Sequence, residues 1–217
     1  MSQRILDKIL EEKIIAIIRG ISSEKIVNLV EALHQGGISC VEVTFDHTSE
    51  AKIKDTLTSV GKIKKHFGDT IYVGAGTVMT SEQVHQAVEA GAEYIISPNV
   101  DADVIEETKK LGKVSIPGAL TSTEIAFAYK CGADIIKLFP AGDLGVSYLK
   151  SIKAPLKHIP ILAVGGVNSK NCVDFMKAGA AGIGVGGNLV SAKLVDAGKF
   201  DEIVSAAKEY KEVLKDW

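Results

Sequence analysis

One unit of sequence recurs four times along this chain, and it limits the fold more than any other feature. The copies are "EALHQGGISCVEV" (31–43), "QAVEAGAEYIISP" (86–98), "AYKCGADIIKLFP" (128–140) and "FMKAGAAGIGVGG" (175–187). Each runs from the end of a helical pattern, through a glycine, into a short apolar stretch. Glycine ends helices because it takes the left-handed conformation without a Cβ penalty. The apolar stretches are continuous rather than alternating, as in strands covered on both faces. Four more lie between them: "IIAIIRG" (14–20), "IYVGAGT" (71–77), "VSIPGA" (114–119) and "ILAVGG" (161–166). Thr80-x-x-Gln83 and Thr121-x-x-Glu124 read as capping boxes, and Asn168 as a further helix cap. Eight strands alternating with helices predict an α/β chain, a single (β/α)8 TIM barrel over residues 1–217. An open doubly wound sheet is the alternative. It lacks its phosphate signature, since neither "GVGGN" nor "GAGTV" completes G-x-G-x-x-G or follows the first strand.

Composition narrows the partners. The 217 residues carry a formal net charge of -2, and without a long basic run this argues against nucleic acid. No apolar stretch approaches the roughly 20 residues of a membrane helix. The start, "MSQRILDKILEEK", is amphipathic and mixes both charge signs, which predicts an extra N-terminal helix rather than a signal peptide. Cys40, Cys131 and Cys172 are isolated and lack metal-site spacing. They suit core positions in a protein of the reducing cytoplasm.

The repeat also interprets one odd residue. Lys137 interrupts an apolar run between Ile136 and Leu138, although lysines are rarely buried unless paired. Aligned on Gly37, Gly91, Gly132 and Gly179, the copies place Glu42, Ile96, Lys137 and Gly184 at one position of strands 2, 4, 6 and 8. Alternate strands of a (β/α)8 barrel share interior layers, and active sites lie at the strands' C-terminal ends. Glu42 and Lys137 are therefore expected to face each other there. A buried structural ion pair is the plain alternative, and such pairs add little net stability. The chemical alternative is a desolvated neutral amine that attacks a ketone to form a Schiff base, with a carboxyl group that moves protons beside it. The glycine pairs Gly165-Gly166 and Gly186-Gly187 end strands 7 and 8, the usual phosphate position of this fold.

Six motifs in order, "VEVT" (41–44), "VGAGTV" (73–78), "ISP" (96–98), "PG" (117–118), "IKLFPA" (136–141) and "GGV" (165–167), make the whole chain resemble the 2-keto-3-deoxy-6-phosphogluconate / 4-hydroxy-2-oxoglutarate aldolase family. The resemblance implies a cytoplasmic homotrimeric class I aldolase without metal or cofactor. It would cleave a 2-keto-3-deoxy-6-phospho sugar acid of the gluconate type to pyruvate and glyceraldehyde 3-phosphate, with 4-hydroxy-2-oxoglutarate as a further substrate. It makes Lys137 the Schiff-base residue and Glu42 the general acid/base. It places Thr77 on the pyruvate moiety, lines the pocket with Pro98 and Phe139, and gives Asn188 to the phosphate site with the glycine pairs. Read alone, Thr77 is equally a helix-capping hydroxyl, and Pro98 and Phe139 are core residues.

The chain departs from the family at three places. Asp46 stands where many members have the arginine that holds the pyruvate carboxylate, Val164 where many have threonine, and Asn188 where serine is common. An aldolase for a related keto acid, such as the galactonate epimer, is therefore also open. Arg19, at the end of strand 1 in the register of Ile17 and Ile15, is the expected replacement counter-charge for the carboxylate. Two other readings compete. Asp46 and His47 could begin a metal site in a phosphate-binding epimerase or class II aldolase, although no histidine has ligand spacing. A non-catalytic sugar-phosphate sensor could have kept the barrel.

Overall fold

Residues 2–217 are described by the computed structural model. Its strands are β1 (Ile14–Ile18), β2 (Cys40–Thr44), β3 (Tyr72–Gly76), β4 (Tyr94–Ile96), β5 (Val114–Ile116), β6 (Gly118–Ala119), β7 (Ile136–Leu138), β8 (Ile161–Val164) and β9 (Gly182–Val185). All pairings are parallel, in the order β5-β4-β3-β2-β1-β9-β8-β7-β6. Only Pro117 separates β5 from β6, so the two ends of this order belong to one segment and the sheet closes into a barrel. Proline has no N–H to give to a ladder. The expected strand at 114–119 is thus split, one half pairing with β4 and the other with β7.

The helices are α1 (Ser2–Glu12), α2 (Ile26–Gln35), α3 (Glu50–Phe67), α4 (Ser81–Glu89), α5 (Ala102–Lys110), α6 (Ser122–Lys130), α7 (Ala141–Leu144), α8 (Val146–Lys153), α9 (Cys172–Lys177), α10 (Ala192–Asp196) and α11 (Phe200–Leu214). Thr121 and Glu124 form the complete capping box expected at α6. At α4 the Thr80 hydroxyl accepts from the Gln83 N–H, but the Gln83 side chain serves Met79 instead. Asn168 caps the turn ahead of α9, accepting from the Lys170 N–H, rather than the helix itself.

Strand alternation produces two separate cores. Ile14, Ala16 and Ile18 face outward into the larger cluster shared with the helices. Ile15, Cys40, Tyr94, Ile96, Val114, Ile116, Ile135, Leu162 and Val164 fill the barrel interior. The extra helix α1 plugs its N-terminal end, where Ile5 and Ile9 join the interior cluster. Burying each contributes on the order of 1.5–3 kcal/mol. Glu12 anchors the same end, accepting from the Ser39 hydroxyl at 2.8 Å and from Lys211 at 3.0 Å. Burial raises the proton affinity of its carboxyl, but Lys211, Ser39 and Lys8 outweigh burial and hold it below the ordinary value. The N-terminal end is thereby sealed, and the opposite end is left for a site.

Candidate active site

Lys137 sits at the centre of β7 between Gly118 of β6 and Leu162 of β8. It is 6% exposed, and its Nζ lies 5.1 Å from the centroid of the Phe139 ring. That ring is 41% exposed, so it forms a lip rather than a core contact. Lys137 and Phe139 line a cavity of about 190 Å³ with Arg19, Asn188 and both glycine pairs, Gly165-Gly166 and Gly186-Gly187. Segments far apart in sequence thus meet in one place: the end of β1, the centre of β7 and the loops after β8 and β9. Val164 also lines this wall. Asn188 ties the two glycine loops together by donating to the Val167 carbonyl at 3.1 Å. Gly165 and Gly166 both have left-handed backbone, with φ of 87° and 71°.

Glu42 stands on β2, 1% exposed. Burial raises the proton affinity of its carboxyl, opposed by the charges of Lys137 and Arg19. Its Oε1 has no hydrogen-bond partner among the described residues, and no ion pair closes between Glu42 and Lys137. A structural salt bridge would have satisfied both groups. Here the carboxyl feels the charge of the amine without pairing with it, and Glu42 lies behind the cavity wall rather than among the residues that line it.

The neighbouring strand β3 makes room for this carboxyl. Glu42 pairs in register with Gly74, and Thr44 with Gly76. A Cβ added to Gly76 would fall 1.7 Å from Glu42 Oε1, and one on Gly74 would fall 2.1 Å from the Tyr94 ring. Tyr94 is fully buried and donates its hydroxyl to the Val41 carbonyl at 2.5 Å. The alternating glycines of "VGAG" therefore hold two large side chains, one structural and one chemical. The sequence reading missed both glycines and Tyr94. The signal was present as glycines two apart on the inward register of β3, opposite Glu42.

Other expected residues lie around this cavity rather than on its wall. Pro98 lines an adjoining cleft with Val100, Leu120, Phe127 and Phe139. Thr77 follows β3 with φ of 58°, and its carbonyl accepts from His47 at 2.8 Å. Asp46 turns away. It accepts from the Thr48 N–H and hydroxyl and borders a separate hollow with Lys25, Lys52 and Asp55. Those bonds hold its carboxyl below the ordinary value. Among the described residues no three His, Cys, Asp or Glu side chains converge as a metal site would require, and both ring nitrogens of His47 have protein partners. No helix of the described residues is long and apolar enough to cross a membrane.

Comparison with known proteins places this geometry in context. The family model described as "KDPG and KHG aldolase" matches residues 5–206. The chain is 32% identical over 203 residues to the 2-dehydro-3-deoxy-6-phosphogalactonate aldolase of Escherichia coli, covering 93% of this chain and 96% of that one. It is 31% identical over 188 residues to the 2-dehydro-3-deoxy-phosphogluconate aldolase of Treponema pallidum, covering 86% of each. Among solved structures it resembles the KDPG aldolase of Legionella pneumophila with pyruvate captured as a covalent carbinolamine, with a TM-score of 0.82 and 28% identity. That alignment covers 91% of this chain and 93% of the other.

Proposed function

The chain belongs to the KDPG and KHG aldolase family and is thereby a carbon–carbon lyase, and from that premise we propose that it cleaves a 2-keto-3-deoxy-6-phospho sugar acid through a Schiff base on Lys137. The observation that carries the reading is the buried amine of Lys137, held on a cavity wall within electrostatic reach of the buried Glu42 carboxyl, with which it forms no ion pair. The captured pyruvate adduct of the Legionella relative lends chemical support.

The Lys137 amine adds to the C2 ketone, and loss of water leaves a protonated imine. Glu42 takes the proton of the C4 hydroxyl, directly or through a water. The C3–C4 bond breaks, its electron pair moves into the imine as an enamine, and the aldehyde departs. Glu42 returns the proton to C3, and water then hydrolyses the imine to release pyruvate and the free amine. A carboxylate whose proton affinity is raised by burial is a stronger base than a solvated one, which suits a group that must take and return one proton. Gly76 is the floor beneath this base. Gly76→Ala is expected to displace the Glu42 carboxyl and lower kcat by roughly 10²-fold, whereas Gly74→Ala acts on Tyr94 and costs about 1–3 kcal/mol of stability. Turnover and thermal melting of the two variants separate these effects.

The glycine pairs and Asn188 form the proposed cradle for the phosphate, built from backbone amides of the loops. Arg19 is the proposed counter-charge for the carboxylate, since Asp46 faces another hollow. Thr77 is proposed to contact the pyruvate moiety, with Phe139 and Pro98 flanking the entrance. Arg19→Lys is expected to weaken pyruvate binding by about tenfold, because a fork that can bind a carboxylate bidentately is replaced by a point charge. Asp46→Ala should leave pyruvate affinity similar or improved. Titration with pyruvate under borohydride trapping measures both, and a large loss in Asp46→Ala would make Asp46 a direct participant.

Gluconate-type acid is the first substrate reading, with 4-hydroxy-2-oxoglutarate beside it. The name of the Escherichia coli relative favours the galactonate epimer as the second. Both epimers give the same products. A panel of 2-keto-3-deoxy acids of both C4 configurations, with and without phosphate, tests the proposal by pyruvate release. Release from none of them overturns it, and a phosphate requirement supports the glycine cradle. We also place the protein in the cytoplasm, as one domain assembled into homotrimers. The free cysteines fit the compartment. The exposed apolar side chains Leu120 and Phe127 offer a face for assembly, which light scattering of the purified protein would test.

A further inference from the structure

Two residues other than glycine have left-handed backbone among the described residues, and Thr77 is the β-branched one, with φ of 58°. A β-branched residue in that region is a true outlier. Such strain persists only where the surroundings over-determine it. The surroundings here are specific. The Phe45 N–H donates to the Gly76 carbonyl at 2.8 Å, and the Val78 N–H to the Ile96 carbonyl at 3.1 Å, fixing the residues on either side. Thr77 itself is held through its carbonyl, which accepts from His47 Nε2 at 2.8 Å. A carbonyl can only accept, so Nε2 carries the proton and Nδ1 accepts from Gln83 Nε2 at 3.3 Å. Gln83 Oε1 accepts in turn from the Met79 N–H at 2.8 Å. The Phe45 ring stacks against His47 at 6.0 Å and 15°. The chain of contacts leaves the loop at Thr77, passes through His47 and Gln83, and returns to the same loop at Met79. Thr77 adjoins Gly76, against which the Glu42 carboxyl rests.

We propose that His47, backed by Gln83, is a positioning residue that holds Thr77 in its left-handed conformation and so fixes the Thr77 N–H and hydroxyl for the carboxylate end of the keto acid. The proposal rests on the Schiff-base aldolase reading and extends it. Pinning the carbonyl of Thr77 sets the Thr77–Val78 peptide plane, while the Phe45 N–H holds the preceding plane, which carries the Thr77 N–H, through the Gly76 carbonyl. The residue is then prepared for an anion before substrate arrives, so the ordering cost is not charged against binding.

Three proteins test this: the wild type, His47→Ala and His47→Gln. The glutamine amide can present an N–H close to the place of the imidazole Nε2–H. Each is titrated with pyruvate under borohydride trapping and assayed in steady state. His47→Ala is expected to raise the pyruvate half-saturation and KM about tenfold, the order of one lost hydrogen bond and the strain it restrains, with kcat within about threefold of wild type. His47→Gln should recover most of that loss. Unchanged half-saturation in His47→Ala, a fall in kcat with KM unmoved, or no recovery in His47→Gln would each overturn the positioning role. His47 is exposed, so these variants are expected to fold, and melting curves verify it. Absence of any pyruvate adduct in the wild type is a different failure. It removes the Schiff-base reading, and the role of His47 falls with it.

Discussion

Replacing Lys137 with alanine is expected to abolish turnover, a loss on the order of 10⁴–10⁶-fold, while the barrel stays folded. No other lysine lines the cavity that Lys137 shares with Arg19 and the glycine pairs, so no neighbouring amine can replace it. Wild-type protein treated with pyruvate and borohydride should gain one pyruvate-derived mass, mapped to the peptide that holds Lys137. The variant should gain none. Its melting temperature should remain near that of the wild type, because Lys137 forms no ion pair whose loss would expose a partner, and its strand neighbours are Gly118 and Leu162. An adduct on a different lysine would remove Lys137 from the mechanism. Unfolding of the variant at ordinary temperature would make the lysine structural, since breaking a true buried pair costs about 3–5 kcal/mol.

That Lys137 and Glu42 come within electrostatic reach of each other was legible because a barrel converts sequence spacing into spatial position. Glycine-to-strand distance is constant in the four repeats, so residues at equal offset fall in equivalent interior places. Eight strand segments were legible for the same reason, but the split of 114–119 at Pro117 into β5 and β6, which makes nine strands, was not read from the sequence. What the repeat could not convey was contact between loops. That Arg19, the two glycine pairs and Asn188 enclose one cavity depends on how the segments after β1, β8 and β9 bend, and no periodicity records that. The role of His47 was hidden further, because its partner is a backbone carbonyl. A carbonyl carries no residue identity, and the positive φ of Thr77 that aims it is a property of the folded loop. Asp46 and His47 are adjacent in sequence and suggested a shared ion. In the fold Asp46 caps its own turn through Thr48 and His47 reaches Thr77, so adjacency misled where direction decided. Gly74 and Gly76 lie between these cases. Their spacing was visible, but its meaning required knowing that Glu42 and Tyr94 come from the two strands flanking β3.

Glu42→Gln should separate binding from chemistry. The amine of Lys137 remains, so the variant is expected to form the trapped pyruvate adduct, if slowly. Cleavage and proton exchange at the pyruvate methyl group should fall by about 10²–10⁴-fold, the usual contribution of a positioned acid/base. A variant within a few-fold of wild type in both assays would exclude Glu42 as the proton carrier. The same substitution is expected to stabilise the fold, with a pH dependence whose sign is set by burial. Burial, opposed by Lys137 and Arg19, raises the proton affinity of the folded carboxyl above its unfolded value. The native state therefore holds the proton to a higher pH than the unfolded chain does. Above the unfolded value, about 4.3 for a glutamate, stability falls as pH rises until the folded group also ionises. Glutamine has no such loss. Glu42→Gln should melt above the wild type at pH 8, and the gap should shrink as pH falls towards 4. A gap independent of pH would mean that Glu42 ionises at the same pH in the folded and unfolded chains, its burial fully offset by Lys137 and Arg19. A base so compensated would be too weak to take the C4 proton in the way proposed, and the proton would have to leave through a bound water to another acceptor.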